Sequence, residues 1–148
     1  MAGEIGDKMS MIQEVAAESG VLRIRAMGRF SLVEAKRTFI EMLEAVARNR
    51  VRKVLFDGRG LQGNPEVMER FYYGKFAAQS IVEFADRGVS RFTQFAYVLE
   101  VPMRDPSRFG ETVAVNRGMV VKTFDNLDDA LGWLGLAPGN NPDAGDEK

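Results

Sequence analysis

Apolar and polar residues alternate with a period of two near the start of the chain. In Val21–Met27 the apolar residues fall on one face and two arginines on the other, which is typical of a strand with one face in water. The segment Glu18–Gly20 just before it has the composition of a tight turn. We therefore predict that Met9–Ala17 is a strand and that it forms an antiparallel hairpin with Val21–Met27.

The spacing changes to that of a helix at Ser31. Apolar residues recur three and four positions apart from there to about Asn49. Ser31 and Glu34 have the spacing of a capping box, in which each side chain binds a backbone N–H of the first turn. The segment Val51–Phe56 follows and ends in three consecutive apolar residues, which favours a central strand covered on both faces.

The same two patterns continue along the chain and predict the remaining elements. They are a long helix from Pro65 to about Asp86, a strand over Phe92–Leu99, a helix from Pro106 to about Asn116, a strand over Met119–Phe124 and a final helix capped by Asp125 or Asn126. The predicted order is β-β-α-β-α-β-α-β-α, in one α/β domain over residues 9–136 with a mixed, mostly parallel sheet and an N-terminal β-hairpin. We expect residues 1–8 to be flexible. We expect residues 137–148, rich in Pro, Gly, Asn and Asp, to be a disordered tail.

The composition excludes several kinds of chemistry. The 148 residues include no Cys and no His, so disulfides, thiolate chemistry and a histidine general base are impossible. The net charge of −1 is unlike that of nucleic-acid binders, which usually carry a basic face. No segment approaches the roughly 18 consecutive apolar residues of a membrane span. We therefore expect a cytoplasmic, non-enzymatic protein with no cofactor and no metal.

The glycines of Gly58–Gly63 spell G-x-G-x-x-G, the outline of a dinucleotide-binding fingerprint. In that fingerprint the third glycine lies inside the helix that follows. Here Asn64 and Pro65 come directly after it, as an N-cap and a first helical residue, so the predicted helix begins beyond the glycines. We therefore interpret Gly58–Gly63 as a surface turn and expect no nucleotide bound to it.

The residues around this predicted turn are the candidates for binding. Asp57 ends a central strand, where its carboxylate faces either a partner or its own loop, and Arg59 beside it either contacts a partner or is solvated. Tyr72 and Tyr73 lie about 100° apart on the predicted helix, so both cannot point inward. They mark either an interface or the rim of a wide core face. The candidate partner- or ligand-binding residues are Asp57, Arg59, Asn64, Glu66, Tyr72 and Tyr73.

A sequence pattern near the end of the chain resembles a known family. The residues Phe124, Leu127, Ala130, Trp133 and Leu134 spell Phe-x-x-Leu-x-x-Ala-x-x-Trp-Leu, after the run at 109–118. Together with the element order, this pattern resembles the SpoIIAA-like family of the STAS class, named for sulfate transporters and anti-sigma-factor antagonists. The resemblance covers about residues 9–135. It implies a non-enzymatic domain that acts by contact with other proteins.

The resemblance carries two further implications. In switching members of the class, a serine at the start of the second helix is phosphorylated by a partner kinase, and the matching place here is residues 63–66. No Ser or Thr occurs between Phe56 and Gln79, so the switch residue is missing. SpoIIAA-like proteins are also likened to the lipid-exchange (CRAL-TRIO) fold, which implies an apolar ligand between the sheet and the helices.

Three functions remain open from the sequence. The favoured one is a STAS-like protein-interaction or regulatory module that forms a homodimer or binds another protein. The alternative is a protein that binds a small apolar ligand or lipid, of CRAL-TRIO-like type. The third is an enzyme that depends on carboxylates alone.

Overall fold

The computed structural model describes residues 11–136, without the side chain of Gln13. The predicted flexible N-terminus, the first two residues of the first predicted strand and the predicted tail lie outside these residues. The elements are β1 (Ile12–Glu18), β2 (Val21–Arg29), α1 (Leu32–Asn49), β3 (Lys53–Gln62), α2 (Val67–Glu83), a 3-10 turn (Ala85–Arg87), β4 (Gln94–Val98), α3 (Phe109–Val115), β5 (Val120–Phe124) and α4 (Leu127–Trp133).

The five strands form one mixed sheet in the order β1-β2-β3-β4-β5. The β1–β2 pair is antiparallel, as the predicted hairpin requires, and the other three pairs are parallel. The prediction of a single α/β domain with a mixed, mostly parallel sheet and the order β-β-α-β-α-β-α-β-α is therefore confirmed.

The sheet has a core on each face. Residues of α1, α2 and α3 pack on one face, against strand residues that include Val54, Phe56 and Phe95. The short helix α4 packs on the other face, where Leu55 and Val98 meet Leu131. Neighbouring residues of β3 thus enter opposite cores. The prediction that its consecutive apolar residues form a central strand covered on both faces is confirmed.

The helix starts of α1 and α4 carry side-chain caps. Ser31 Oγ accepts a hydrogen bond of 3.2 Å from the Glu34 N–H. The reciprocal half of the predicted capping box is not made: Glu34 is buried, its Oε1 atom has no partner among the described residues, and its Oε2 atom lies 3.7 Å from Arg37. At α4 the Asn126 side chain accepts from the Asp129 N–H at 2.8 Å, which settles the choice of cap.

The prediction that Gly58–Gly63 forms a surface turn is wrong. Strand β3 continues to Gln62, and Gly60 and Leu61 pair with residues of β2. A Cβ atom on Gly58 would lie 2.7 Å from a Leu99 methyl group, and one on Gly60 would lie 2.9 Å from Met27. These glycines are therefore explained by close side-chain packing within a strand.

The second helix begins two residues later than predicted. Val67 is its first residue and Glu66 its N-cap, so Pro65 precedes the helix and Asn64 is not its cap. The Glu69 carboxylate accepts a hydrogen bond of 2.9 Å from the Glu66 N–H. This carboxylate contact at the helix start outweighs the Asn-Pro signal, because it satisfies a backbone donor at the positive end of the helix dipole.

The third helix also starts later than its proline suggests. It begins at Phe109, because the Asp105 carboxylate accepts from the N–H groups of Ser107 and Phe109 at 3.0 Å each and so forms a turn before the helix. At the end of α2, the helix closes at Glu83 and the chain continues through the 3-10 turn to Gly88, which has a φ of 95°.

Candidate functional site

The candidate residues from the sequence lie around the carboxyl end of β3 and along α2. In sheets of this kind, the carboxyl ends of parallel strands are the usual place for ligands and partners. The structure brings two of the candidates into direct contact, places two at the turn before α2, and sends the remaining two in different directions.

Asp57 and Arg59 form an ion pair within β3. Arg59 donates to both carboxylate oxygens of Asp57, through Nε at 2.9 Å and Nη2 at 2.8 Å. The side-chain hydrogen bond from Arg59 is the main reason that the pKa of Asp57 is lowered, and the charge of Arg25 adds to it. Asp57 thus braces its own strand segment, which is the simpler of the two interpretations that its sequence position allows.

Asn64 and Glu66 are exposed at the turn that leads into α2. Asn64 Oδ1 accepts a long hydrogen bond of 3.4 Å from Arg70 Nη2. The same guanidinium donates to the carbonyl oxygens of Pro102 at 2.8 Å and Met103 at 2.9 Å. Arg70, which the sequence did not single out, therefore ties the loop after β4 to α2.

Tyr72 and Tyr73 diverge, as their spacing predicts. Tyr72 is 45% exposed, and it lies four positions after Met68, which is 53% exposed. Val67 beside Met68 is 64% exposed. Because residues four apart share a helix face, Met68 and Tyr72 form one apolar surface with Val67 at its edge. We call Val67, Met68 and Tyr72 the α2 patch.

Tyr73 turns inward and borders a cavity between α2 and the sheet. Its hydroxyl lies 2.6 Å from the hydroxyl of Tyr97 on β4. Burial raises the pKa of both tyrosines well above the ordinary value, so both are neutral at physiological pH. Of the six candidates, Tyr73 is thus the one whose side chain packs in the interior of the protein.

The cavity has a volume of about 130 Å³ and lies under α2. Aromatic and apolar side chains from the sheet, including Phe56 and Tyr97, form its floor. Small residues of the covering helices, such as Gly74 and Ala77 of α2, leave the space open. Thr38 of α1 also borders it and is 4% exposed.

Charged residues border the cavity as well, and their contacts are with the protein itself. Glu111 Oε1 accepts from the Thr123 N–H at 2.8 Å and from its hydroxyl at 2.9 Å. Arg70 is held by the carbonyls described above, and Asp105 binds its own turn. These contacts use the charged groups to fix the loop after β4 and the helix α3.

Sequence reasoning missed Thr38, Tyr97 and Arg70. Thr38 and Tyr97 sit at positions whose neighbours follow apolar patterns, so the polar atoms that enter the core are not visible in the pattern. The rule that buried polar atoms need partners could point to these residues, but it can be applied only once the fold is known. The sequence alone therefore contains no signal for them.

The described part of the chain offers no metal centre and no membrane span. Within residues 11–136, no group of three His, Cys, Asp or Glu residues is arranged to hold a metal ion. None of the helices there combines the length and the apolar character needed to cross a membrane.

Comparison with known proteins identifies the fold. No protein-family model matches the chain, and no curated protein matches it in sequence. Among solved structures, the chain is similar to an anti-sigma factor antagonist from Mycobacterium paratuberculosis, with a TM-score of 0.51 and 17% sequence identity over 84% of this chain and 94% of that one. This is the SpoIIAA/STAS fold. The fold implied by the resemblance near the end of the chain is thereby confirmed, and at this identity the similarity concerns the STAS fold alone.

Proposed function

We propose that the protein is a non-enzymatic STAS-like protein-interaction module that acts through the α2 patch and through Asn64 and Glu66 at the turn before α2. The Asp57–Arg59 pair, also a candidate from the sequence, shares the sheet face of Leu55 and Val98, opposite to α2, and is left out of this surface. The observation that carries the proposal is the α2 patch itself, in which three large apolar side chains are exposed on one stretch of helix. Exposed apolar groups rimmed by polar residues are typical of protein contact sites. The similarity to an anti-sigma factor antagonist, a protein named for its effect on another protein, supports this class of function.

The partner that we propose for the α2 patch is a second copy of the chain. The net charge is only −1, so long-range repulsion between two copies is weak. The exposed surface of α2 around the patch includes both signs of charge, with Glu66 at the helix start and Lys75 three positions after Tyr72. Such an arrangement allows self-complementary contacts around a two-fold axis.

The interaction is proposed to be independent of phosphorylation. Glu66 is the N-cap of α2, and the segment from Phe56 to Gln79 has no hydroxyl-bearing Ser or Thr. A carboxylate at a helix start already has the sign of charge that a phosphate would add there. Treatment of natively produced protein with a phosphatase should therefore leave its association constant unchanged.

The experiment is sedimentation velocity over a range of concentrations, with Tyr72→Glu compared with Val82→Glu. Val82 is also an exposed apolar residue of α2, 68% exposed, and lies ten residues further along the helix, roughly 15 Å away. Both variants add the same charge to the same helix. The proposal expects a concentration-dependent dimer that Tyr72→Glu abolishes and Val82→Glu retains.

Three other results have defined meanings. A wild-type chain that remains monomeric at every concentration contradicts the homodimer. If a different protein then binds wild-type and Val82→Glu baits equally but not the Tyr72→Glu bait, the interaction function stands with that protein as partner. Equal behaviour of all three chains in both assays contradicts the use of the α2 patch.

A second candidate function is the binding of a small apolar ligand, which the cavity under α2 favours. Native mass spectrometry of freshly purified protein tests it. A co-purified ligand that is lost when the cavity is filled by Ala77→Leu supports this function, and a chain that is always empty weakens it.

A further inference from the structure

The end of the sheet where β3 and β4 begin has a concentration of positive charge. Helix α1 leads into β3 there and the 3-10 turn leads towards β4, and these two strands are parallel neighbours. The carbonyl oxygen of Arg52 accepts a hydrogen bond of 2.9 Å from the Gln94 N–H, which joins the two loops directly. We give the name basic end to the cations of these loops and of the last turn of α1, which are Arg48, Arg50, Arg52, Lys53, Arg87 and Arg91.

The charge of the basic end is not neutralised within the described residues. None of its cations forms an ion pair in residues 11–136, and Asp86 has the single carboxylate of the two loops. Arg87 lies over the ring of Phe84, 4.4 Å from its centroid. Arg91 lies over the ring of Phe92 at 5.1 Å. Because an aromatic ring does not cancel the charge above it, the basic end attracts carboxylates.

The last described residues lie beside the basic end. Lys53 Nζ is 3.4 Å from the position that a Cβ atom on Gly135 would take. The Gln94 side chain donates a hydrogen bond of 3.3 Å to the carbonyl oxygen of Trp133. Residue 137 is therefore attached next to the start of β3 and β4.

The residues from 137 onwards have the complementary charge. Residues 137–148 contain the carboxylates of Asp143, Asp146 and Glu147, and their one cation is Lys148. Asp143 is seven residues beyond Leu136, and seven residues span at most about 25 Å. Since neighbouring strands are only about 4.8 Å apart, the three carboxylates can reach the basic end.

The opposite end of the sheet has exposed charges that repel these carboxylates. Glu100 follows β4 and Asp125 follows β5, and both are exposed. Asp128 and Asp129 add two exposed carboxylates in the first turn of α4. The sign of the charge therefore favours the basic end over the carboxyl ends of β4 and β5.

Covalent attachment compensates for the weakness of exposed ion pairs. Each such pair contributes only about 0–1 kcal/mol. A segment joined through a short linker has an effective concentration on the order of 1 mM. A docking equilibrium with a dissociation constant of about 1 mM is thus enough to occupy about half of the molecules.

We propose that residues 143–147 dock on the basic end of their own chain through Asp143, Asp146 and Glu147. The docked segment covers the basic end and so competes with other anionic molecules for it. The inference goes beyond the proposed function, because it uses residues of neither the α2 patch nor the cavity under α2.

The test is paramagnetic relaxation enhancement of the backbone amides in the full chain. The chain has no cysteine, so Ala144→Cys provides a single attachment site for a nitroxide label between the acidic residues. We expect strong enhancement at the amides of residues 50–53 and 86–92. The amides of residues 125–129, at the acidic carboxyl end of β5, should show none.

A neutral segment of the same length separates attraction from simple attachment. The labelled chain with Asp143→Asn, Asp146→Asn and Glu147→Gln keeps the linker and loses the three charges. Its enhancement at the basic end should be roughly threefold lower, because weaker docking reduces the docked fraction from about half to about a tenth. Addition of 1 M salt, at which the Debye length is about 3 Å, should have the same effect on the acidic segment.

Charge reversal on the folded domain provides a matched pair of variants. Arg52→Glu reverses one charge of the basic end, and Arg29→Glu reverses an exposed arginine at the far end of β2. Both change the net charge by the same amount. Arg52→Glu should lower the enhancement at residues 86–92 roughly twofold through the loss of one ion pair, whereas Arg29→Glu should leave it unchanged.

Three results would overturn the proposal. The first is equal enhancement from the acidic and the neutral segment, since attachment alone then explains the contact. The second is an enhancement centred on another surface. The third is enhancement at the basic end of an unlabelled, ¹⁵N-enriched chain mixed with a nitroxide-labelled chain, because the segment then docks on a second copy. The dimer proposed for the α2 patch is tested separately by Tyr72→Glu, so failure of one proposal leaves the other standing.

Discussion

The hydroxyl groups of Tyr73 and Tyr97 lie 2.6 Å apart and join helix α2 to the centre of the sheet. Their rings also meet edge to face, with centroids 6.4 Å apart. The contact is the only side-chain hydrogen bond in the described structure that directly links α2 with β4. The pair adds a polar contact to the apolar packing of Ala77, Ala78 and Ile81, which also holds α2 on the sheet.

Removal of both hydroxyls should lower the free energy of unfolding by less than the sum of the two single removals. Tyr73→Phe and Tyr97→Phe each leave a buried hydroxyl unpaired, at a cost of about 1–3 kcal/mol in the free energy of unfolding. The double variant leaves none, so its cost should be clearly less than the sum of the two. Urea unfolding of the four chains measures this coupling. Tyr72→Phe, on the exposed neighbour, is the control and should change stability by less than about 0.5 kcal/mol.

The same pair predicts a loss of stability at alkaline pH. Burial raises the pKa of both tyrosines in the folded state, so above about pH 10 the unfolded chain has lost these protons while the folded chain still holds them. The pair's contribution is therefore complete below about pH 10 and falls as the pH rises further. Unfolding measured from pH 8 to 11 should show a steeper decline for the wild type than for the Tyr73→Phe/Tyr97→Phe chain. Equal slopes would contradict the burial of the hydroxyls.

Gly74 is predicted to be irreplaceable at the crossing of α2 and α3. A Cβ atom at Gly74 would lie 2.6 Å from the carbonyl oxygen of Gly110, so the two helices would have to separate. Gly74→Ala should lower the free energy of unfolding by roughly 1–3 kcal/mol, although alanine is the better helix former. Gly132→Ala in α4, where a Cβ atom meets nothing within 4 Å, should instead stabilise the protein by about 0.5–1 kcal/mol. The reverse order of the two variants in denaturant unfolding would refute this account.

Arg70 is predicted to hold the loop after β4 by its fork of donors. Its two terminal nitrogens bind the carbonyls of Pro102 and Met103, a geometry that the single ammonium of lysine does not reproduce. Arg70→Lys should therefore raise amide hydrogen exchange in residues 99–108 by roughly tenfold, the effect of losing about 1.4 kcal/mol of local stability. Arg48→Lys, at an exposed position near the end of α1, should leave that exchange unchanged.

The Asp57–Arg59 pair should affect the pKa of Asp57 more than it affects the free energy of unfolding. It is partly exposed, so Arg59→Gln should cost less than about 1 kcal/mol. The substitution removes the main cause of the lowered pKa of Asp57, which should rise towards its ordinary value in a carboxyl NMR titration. A lowered pKa stabilises the fold fully above the ordinary carboxyl pKa of about 3.9, and this effect is lost as the pH falls through the lower pKa of the folded state. The difference in stability should therefore be present near pH 7 and decrease below about pH 4.

The order of elements could be predicted because it depends on periodicity, which is a local property. Val21–Met27 and Leu32–Asn49 show one clear period each, and the structure has a strand and a helix there. The glycines at 58 and 60 could not be interpreted correctly, because the reason for them is the side chains of Leu99 and Met27 on neighbouring segments. The start of α2 was misplaced because a local Asn-Pro signal competes with a carboxylate contact visible only in three dimensions.

The candidate site was predictable in part for the same reason. The divergence of Tyr72 and Tyr73 follows from helical geometry alone, and the structure has one outside and one inside. Which of the two faces inward depends on Tyr97, which lies 24 residues away in sequence and adjacent in space. The unpaired hydroxyl of Thr38 depends equally on packing between α1 and the sheet. The roles of Tyr72 and Tyr73 in binding remain predictions.

Among the elements within residues 11–136, only α4 packs on the second face of the sheet, where β1 and β2 carry charged side chains. Glu14 and Arg25 face each other across the hairpin at 3.3 Å, and both side chains are more than half exposed. Stacking of another β-sheet on this area would require these ions to lose their water. The ion pair therefore opposes face-to-face stacking of another sheet on the hairpin.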